Sequence, residues 1–189
     1  MTLILASTSA IRRHMLDAAG VSFEPLKPDV DEDELRLGLS DSSQIALRLA
    51  SAKALSVPGP WVIGSDSVVS SAGRHFTKPK NRNDAAEHLR FFSGKPMELT
   101  SAVALARGGR LDWSHVETAT LEVRLLSESF IADYLDAEWP EVGYTVGVFR
   151  LEGRGVQLFE RIEGDHFTIL GMPLLPLLVA LRNRGLVPE

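Results

Sequence analysis

The sequence contains no cysteine, which excludes disulfide bonds, thiolate zinc sites and cysteine nucleophiles. Histidine-based metal sites are not expected either, because the five histidines follow no metal-ligand spacing. They are His14, His75, His88, His115 and His166. The chemistry of the chain must therefore be sought among its other polar side chains.

Positive charge is not in excess, since 20 lysines and arginines stand against 25 aspartates and glutamates, for a net charge of -5. The basic residues occur singly or in pairs, so a nucleic-acid polymer is not an expected partner. No apolar run approaches the ~20 residues needed to span a bilayer, and Met1 leads into a short apolar strand without a basic leader. We therefore expect a cytoplasmic protein that does not associate with membranes.

Internal repeats, low-complexity segments and long flexible linkers are also lacking. With 189 residues, of which 44% are hydrophobic and 24% charged, the chain is long enough to bury a sizeable core. The composition predicts a single domain over residues 1–189, built as one body or as two closely apposed lobes.

The first informative stretch runs from Leu3 to Arg13. Its apolar residues predict a buried strand, and the Ser-Thr-Ser segment at 7–9 predicts a polar turn that caps a helix ending at Gly20. The N-terminus of that helix, with Arg12 and Arg13 beside it, indicates a binding site for an anion such as phosphate. The alternative is a capped surface helix with two solvated arginines.

Acidic side chains stand out at two places. Asp66 interrupts the apolar run 61–69, a predicted buried strand, so a cation, a metal or a cleft is expected beside it. The alternative is a strand end at which Asp66 belongs to a turn. The acidic run 29–34 is predicted to be a solvated loop or the first turn of a helix, and the alternative is that one of its carboxylates turns inward to hold a cation.

Capping residues, glycines and prolines delimit the other predicted elements. Helices are predicted from Asp41 or Ser42 to the Pro-Gly-Pro stop at 58–60, from 83 to 92, from 127 to the proline at 140, and from 173 to 183. Extended segments are predicted at 21–27, 143–149 and 156–162, and segments 99–106 and 118–125 are predicted to form an antiparallel pair around the glycines at 108–109.

Several motifs, in one order along nearly the whole chain, resemble the Maf family of nucleoside triphosphate pyrophosphatases. They are Leu-Ala-Ser-Thr-Ser-x-x-Arg-Arg at 5–13, Asp-Val-Asp-Glu at 29–32, Lys53, Ile-Gly-Ser-Asp at 63–66, Lys78-Pro79, Glu152-Gly153 and Gly-Met-Pro-Leu at 171–174. The resemblance implies an α/β fold with a strongly curved mixed β-sheet flanked by helices, two lobes with a central cleft, and often a homodimer. It also implies hydrolysis of a small nucleotide substrate between its α and β phosphates.

Residues within these motifs suit that reaction. A nucleoside triphosphate carries about four negative charges, so its site requires cations, N–H donors and usually a divalent metal. Glu32 and Asp66 are the candidate ligands of Mg²⁺ or Mn²⁺. Asp66 is also the candidate base that takes a proton from the attacking water, or it serves mainly as a metal ligand. Contacts with the phosphates are predicted for Ser7, Arg12, Arg13, Lys53 and Lys78.

Three positions bear on the choice of base, namely Ile11, Ser67 and Glu152. The branch that acts on thymidine and uridine triphosphates typically has Arg, Thr and Gln there, and the 7-methyl-GTP branch has an aromatic residue, Gln and Glu. Only Glu152 agrees with a branch here, and segment 158–164 also resembles the 7-methyl-GTP branch. Because a carboxylate accepts hydrogen bonds from the ring N–H and amino groups of guanine, we favour a modified purine nucleotide.

Alternatives of other classes remain at this point. The chain would fit a dTTP and UTP pyrophosphatase, a nucleotide-binding regulator of cell division without turnover, or a structural anion-binding module. Turnover is favoured because four charged residues occur together: Glu32, Lys53, Asp66 and Lys78. A screen for pyrophosphate release separates these possibilities.

Overall fold

A mixed seven-stranded β-sheet flanked by helices organises the fold, as the sequence predicts. The structure is a computed structural model, and it describes residues 2–188. Its strands are β1 (Leu3–Ala6), β2 (Glu24–Leu26), β3 (Trp61–Ser71), β4 (Arg74–Phe76), β5 (Pro96–Arg107), β6 (Arg110–Val123) and β7 (Phe159–Glu163). They follow the order β2-β1-β3-β5-β6-β7, and β4 pairs with β3. The strand β1 is parallel to both β2 and β3. The strand β4 is antiparallel to β3, and β7 is antiparallel to β6.

Helices connect these strands. They are α1 (Ala10–Ala18), α2 (Glu32–Arg36), α3 (Ser42–Leu55), α4 (Arg82–Phe92), α5 (Glu128–Glu138), α6 (His166–Leu170) and α7 (Leu174–Arg182), with short 3₁₀ helices at Glu141–Tyr144 and Arg154–Leu158. Across residues 2–188, none of the helices has the length and apolar character needed to cross a membrane.

Polar caps explain where several of these helices begin. The side chain of Ser9 accepts a hydrogen bond from the backbone N–H of Arg12 and so begins α1. Asp31 caps α2 and Asp41 caps α3 in the same manner. Each cap satisfies backbone donors that would otherwise lack a partner in the first helical turn. Within the acidic run, residues 32–34 therefore lie in the first turn of a helix, which is one of the predicted forms, and residues 29–31 precede that helix.

The chain folds into two compact units. Within the described residues, the first unit contains residues up to 67, residues 100–118 and residues from 165 onward, and the second contains 68–99 and 119–164. The first has a hydrophobic core built from β1, α1, β3, β5 and α7, with Leu5, Leu16, Ile63, Leu105 and Leu177 fully buried. The second unit packs aromatic rings together. The rings of Phe76 and Phe92 meet edge to face, with their centroids 4.5 Å apart. Each unit is thus supported by apolar burial of its own.

Two predicted strands differ in the structure. Segment 143–149 is not a strand, because Gly147 and Val148 have φ angles of 91° and 59°, which an extended ladder cannot accommodate. Segment 156–162 begins as a 3₁₀ helix, and its strand starts only at Phe159. The helix α6, capped by Asp165, was not predicted. Helix α4 begins at Arg82, one residue earlier than predicted, because Asn81 is its cap.

Candidate active site

A buried ion pair between Lys53 and Asp66 lies at the centre of the candidate site. Asp66 on β3 is 5% exposed, and Lys53 near the end of α3 is 6% exposed. The Lys53 Nζ atom donates a hydrogen bond to Asp66 Oδ1 at 2.5 Å. The same atom lies 2.7 Å from Glu32 Oε1 on α2. One ammonium group therefore joins the two carboxylates that the sequence predicts as metal ligands.

Gly64 explains how α3 comes so close to β3. A Cβ atom at position 64 would collide with the carbonyl oxygen of Ala50 and the nitrogen of Ala54, both on the helix. Only glycine allows the two backbones to approach this closely. As a result Lys53, next to Ala54 in the helix, reaches Asp66, two residues beyond Gly64 in the strand.

The two oxygens of the Asp66 carboxylate have different surroundings. The Oδ2 atom is buried and has no hydrogen-bond partner within residues 2–188. Arg36 Nη2 lies 3.8 Å from it and 4.0 Å from Glu32 Oε2. Because a buried polar atom without a hydrogen bond is unfavourable, Oδ2 is an acceptor suited to a proton donor or a cation.

Arg36 is a site residue that the sequence interpretation missed. It stands four residues after Glu32 on α2, and residues at this spacing lie on the same side of a helix. The spacing could therefore have indicated that Arg36 accompanies Glu32. Its approach to Asp66 could not have been found this way, because that contact spans 30 residues of sequence.

Arg12 on α1 is bonded to protein acceptors on both sides of Asp66. Its Nη1 donates to the Ser65 carbonyl at 2.9 Å, and its Nη2 donates to Ser67 Oγ at 3.1 Å. Its Nε donates to the Gly171 carbonyl at 2.9 Å. Each of the three guanidinium nitrogens therefore donates one hydrogen bond to the protein, which uses three of its five N–H groups.

Arg12 differs from Arg13, the next residue in α1, in how far it is buried. Burial lowers the pKa of Arg12, and the negative charges of Asp66 and Glu32 act to raise it. Arg13 is exposed, and Ile11 is half-buried. The exposed guanidinium of Arg13 is therefore more accessible to a dissolved anion than that of Arg12.

Serine hydroxyls form a hydrogen-bonded layer behind Asp66. Ser65 Oγ donates to the Gly171 carbonyl at 3.0 Å, and Ser67 Oγ shares a hydrogen bond of 2.8 Å with Ser101 Oγ. Ser101 Oγ in turn donates to the Thr168 carbonyl at 2.7 Å. The sequence interpretation assigned no site chemistry to the segment that contains Ser101. No local signal points to it, because its partners are 34 and 67 residues away.

Ser7 occupies the turn between β1 and α1 and is buried. Its Oγ accepts a hydrogen bond from the backbone N–H of Ser9 at 3.1 Å. Ser9 is the cap of α1, so the predicted strand, polar turn and helix are confirmed as local structure. The contact of Ser7 with phosphate stays a prediction.

Lys78 and Glu152 belong to the second unit. Lys78 is exposed and lies in the segment between β4 and α4. Glu152 is also exposed, and its Oε1 lies 3.6 Å from Arg150 Nε. Arg150 Nη1 is 3.8 Å from Glu141 Oε2. Arg150 therefore partly offsets the charge of Glu152, and the substrate roles of Lys78 and Glu152 stay predictions.

The donor set around Asp66 fits a cation that is shared with phosphate. Within residues 2–188, no three His, Asp or Glu side chains gather into a metal cage. Two carboxylates are present, Glu32 and Asp66, and one of their oxygens, Asp66 Oδ2, is buried without a donor. Mg²⁺ is commonly held by one or two carboxylates together with substrate phosphates, so this set is sufficient.

Comparison with known proteins gives matches over nearly the whole chain. A family model described as Maf-like protein matches residues 2–184. A nucleoside triphosphate pyrophosphatase from Nitrobacter hamburgensis is 48% identical over 191 residues, which cover 98% of this chain and 95% of that protein. A 7-methyl-GTP pyrophosphatase from Rhizobium meliloti is 46% identical over 193 residues, which cover 98% of this chain and 97% of that protein.

Among solved structures, a nucleoside-triphosphatase/dITP/XTP pyrophosphatase from Mycobacterium abscessus overlaps with 65% of this chain and 73% of its own chain. The overlap has a TM-score of 0.41 and 18% sequence identity.

Proposed function

Because this chain belongs to the Maf-like protein family, we propose that it is a nucleoside triphosphate pyrophosphatase. It hydrolyses the bond between the α and β phosphates and releases a nucleoside monophosphate and pyrophosphate. The observation that carries the proposal is the Asp66 carboxylate, whose Oδ1 bonds Lys53 while its buried Oδ2 has no hydrogen-bond partner in the described part of the chain.

In this proposal Asp66 Oδ2 accepts the proton of the attacking water. The water oxygen forms a new bond to the α phosphorus, and the bond from that phosphorus to the oxygen shared with the β phosphate breaks. The electron pair of the broken bond leaves with pyrophosphate. Lys53 holds the other oxygen of Asp66 and so fixes the direction in which Oδ2 points.

Cationic and hydroxyl side chains are proposed to bind the phosphates. Arginine can grip two phosphate oxygens with its planar fork, whereas each lysine acts as a point charge. Exposed Arg13 reaches the phosphates without breaking a hydrogen bond recorded in the structure. Of the five phosphate ligands that the sequence predicts, this proposal keeps Ser7, Arg13, Lys53 and Lys78. The fifth, Arg12, is already hydrogen-bonded to Ser65, Ser67 and Gly171.

Glu32 and Asp66 are the residues that would hold Mg²⁺ or Mn²⁺. When bound, the cation supplies positive charge that offsets the charge of the phosphate oxygens. The side chain of Glu32 is 45% exposed, so it can meet a cation that arrives with the nucleotide. Arg36 and Lys53 already balance the two carboxylates, which disfavours binding of the cation alone.

Because the positive charge of Arg36 lies beside both carboxylates, replacing Arg36 is predicted to strengthen the binding of Mg²⁺ or Mn²⁺ in the absence of nucleotide. In Arg36→Gln, we expect Mn²⁺ to bind about tenfold more tightly without nucleotide, because the variant removes a positive charge that lies beside Glu32 and Asp66 and would repel a divalent cation held by them. Titration of free Mn²⁺ by electron paramagnetic resonance measures the change. Arg48→Gln, at an exposed position of α3, is the matched control and should not alter the affinity. Equal affinities in the two variants would show that Arg36 does not influence the carboxylate pair.

For the substrate, we propose a modified purine nucleotide such as 7-methyl-GTP. The support is Glu152, whose carboxylate can accept hydrogen bonds from ring N–H and amino groups and can offset the positive charge of a methylated base. The names of the relatives do not decide the base, because the two relatives differ in name and are almost equally similar to this chain.

The decisive experiment is a screen of canonical and modified nucleoside triphosphates with Mg²⁺ or Mn²⁺. We expect release of pyrophosphate, not of single phosphate, with the highest kcat/KM for a modified purine. A preference for dTTP or UTP would replace the proposed substrate class but keep the reaction. Absence of pyrophosphate release from every nucleotide would refute the proposed function.

A further inference from the structure

We propose that Arg12 is a positioning residue for Asp66 and that its neighbour Arg13 binds the phosphates. This inference rests on the proposed function and assigns different work to two consecutive arginines. The sequence alone predicts the same phosphate contact for both. In the structure the two arginines differ in exposure and in hydrogen bonding.

The contacts of Arg12 bracket Asp66 along the chain. One donor reaches the carbonyl of Ser65, the residue before Asp66, and another reaches the hydroxyl of Ser67, the residue after it, at 2.9 and 3.1 Å. A guanidinium group is planar and rigid, so two bonds to one side fix the strand at this point in both position and rotation. Arg12 therefore determines where the Asp66 carboxylate lies.

The third bond of Arg12 connects this strand to the segment between α6 and α7. Its Nε donates to the carbonyl of Gly171 at 2.9 Å, and the hydroxyls of Ser65 and Ser67 lie 3.0 and 3.2 Å from the same oxygen. Gly171 has a φ angle of 107°, a conformation that side chains rarely adopt, and a Cβ there would lie 3.5 Å from Arg12 Nη2. The backbone at Gly171 is thus shaped to receive these donors.

To hold a phosphate with the Nε and Nη2 edge of its guanidinium group, Arg12 would have to break its hydrogen bonds to the protein. Its Nε and Nη2 form one edge, and both are bonded to protein, as is Nη1. Hydrogen bonds from a charged donor are among the more stabilising ones, so breaking them is unfavourable. Arg13 is exposed and has no such penalty. Binding of the triphosphate by Arg13 therefore leaves the hydrogen bonds of Arg12 intact.

The experiment compares Arg12→Lys with Arg13→Lys, using the best nucleotide from the screen for turnover and its α,β-methylene analogue for binding. In Arg12→Lys, we expect kcat to fall about 100-fold, because displacing a reacting group by about an ångström has an effect of this size. We expect KM and the analogue Kd to stay within about threefold, because the phosphate grip is intact. In Arg13→Lys, the analogue Kd should weaken about tenfold or more, since the two-pronged contact is lost.

A weakening of the analogue Kd by tenfold or more in Arg12→Lys would overturn the proposal and restore the phosphate role that the sequence predicts for Arg12. Failure of the wild-type protein to release pyrophosphate is a different outcome, because it refutes the proposed function itself. The two failures are therefore distinguishable.

A measurement on the wild-type protein covers the case in which Arg12→Lys does not fold. Arginine Nε–H signals are recorded by ¹⁵N NMR with and without the analogue, and Arg13 is assigned by loss of its signal in Arg13→Lys. The signal of Arg12 should be protected from exchange and keep its position when the analogue binds, while that of Arg13 moves. A scalar coupling between Arg12 Nε–H and phosphorus would contradict the positioning role.

Discussion

Replacing Asp66 with asparagine is expected to lower the rate of pyrophosphate release by about 10³-fold, within the range that a general base contributes. Asparagine has the shape of aspartate but cannot take a proton from water, and it is a weaker ligand for a hard cation. Nucleotide binding should remain measurable, because the cationic side chains are still present. A continuous pyrophosphate assay and a binding titration with the α,β-methylene analogue give the two quantities.

Asp17→Asn is the matched control for this variant. Asp17 lies on α1 in the same unit and is exposed, so its replacement removes one negative charge without touching the candidate site. We expect wild-type rates in the control. Wild-type rates in Asp66→Asn as well would remove Asp66 from both proposed roles, base and metal ligand.

Replacing Lys53 with methionine is the second variant with a large expected effect. Methionine keeps much of the length of the side chain but removes the ammonium group that lies 2.5 Å from Asp66 Oδ1 and 2.7 Å from Glu32 Oε1. Removing one partner of a buried ion pair leaves an uncompensated charge, which typically lowers the free energy of unfolding by about 3 kcal/mol or more. We also expect kcat/KM to fall by about 10²-fold or more, as on removal of a preorganised donor.

Urea unfolding and the pyrophosphate assay measure the two effects of Lys53→Met. Lys27→Met, at an exposed position of the same unit, is the control and should change neither quantity. The double variant Lys53→Met with Asp66→Asn tests the cause, because it removes both charges. It should be more stable than Lys53→Met alone by about 1–2 kcal/mol, because the buried carboxylate charge left without its lysine is then removed as well. No recovery in the double variant would mean that the charge of Asp66 is not the source of the instability.

Local signals in the sequence predicted much of the secondary structure. The caps at Ser9 and Asp41 were readable because each side chain bonds a backbone group only three residues away. The strand around Asp66 was readable from its apolar and β-branched residues. The strand predicted at 143–149 was wrong, because its composition contains no sign of the left-handed backbone at Val148.

The candidate site was predictable only in part. The motifs named Glu32, Lys53 and Asp66 together through resemblance to a family, and the structure brings these three into contact. The approach of Arg36 to Asp66 was not predicted, because it depends on the tertiary packing of α2, which contacts α3. The different environments of Arg12 and Arg13 were not predicted either, because two adjacent arginines give no local indication of which one is more buried.

The sequence by itself determined the residue types of this protein's chemistry, the caps and the order of its elements, because these depend on side-chain identity and on bonds between near neighbours. Only the tertiary structure decided which of those residues meet. Arg12 finds its acceptors 53, 55 and 159 residues away, at Ser65, Ser67 and Gly171. Such contacts arise from the packing of helices on a sheet, and close approach at a single glycine, Gly64, is enough to bring Lys53 to Asp66.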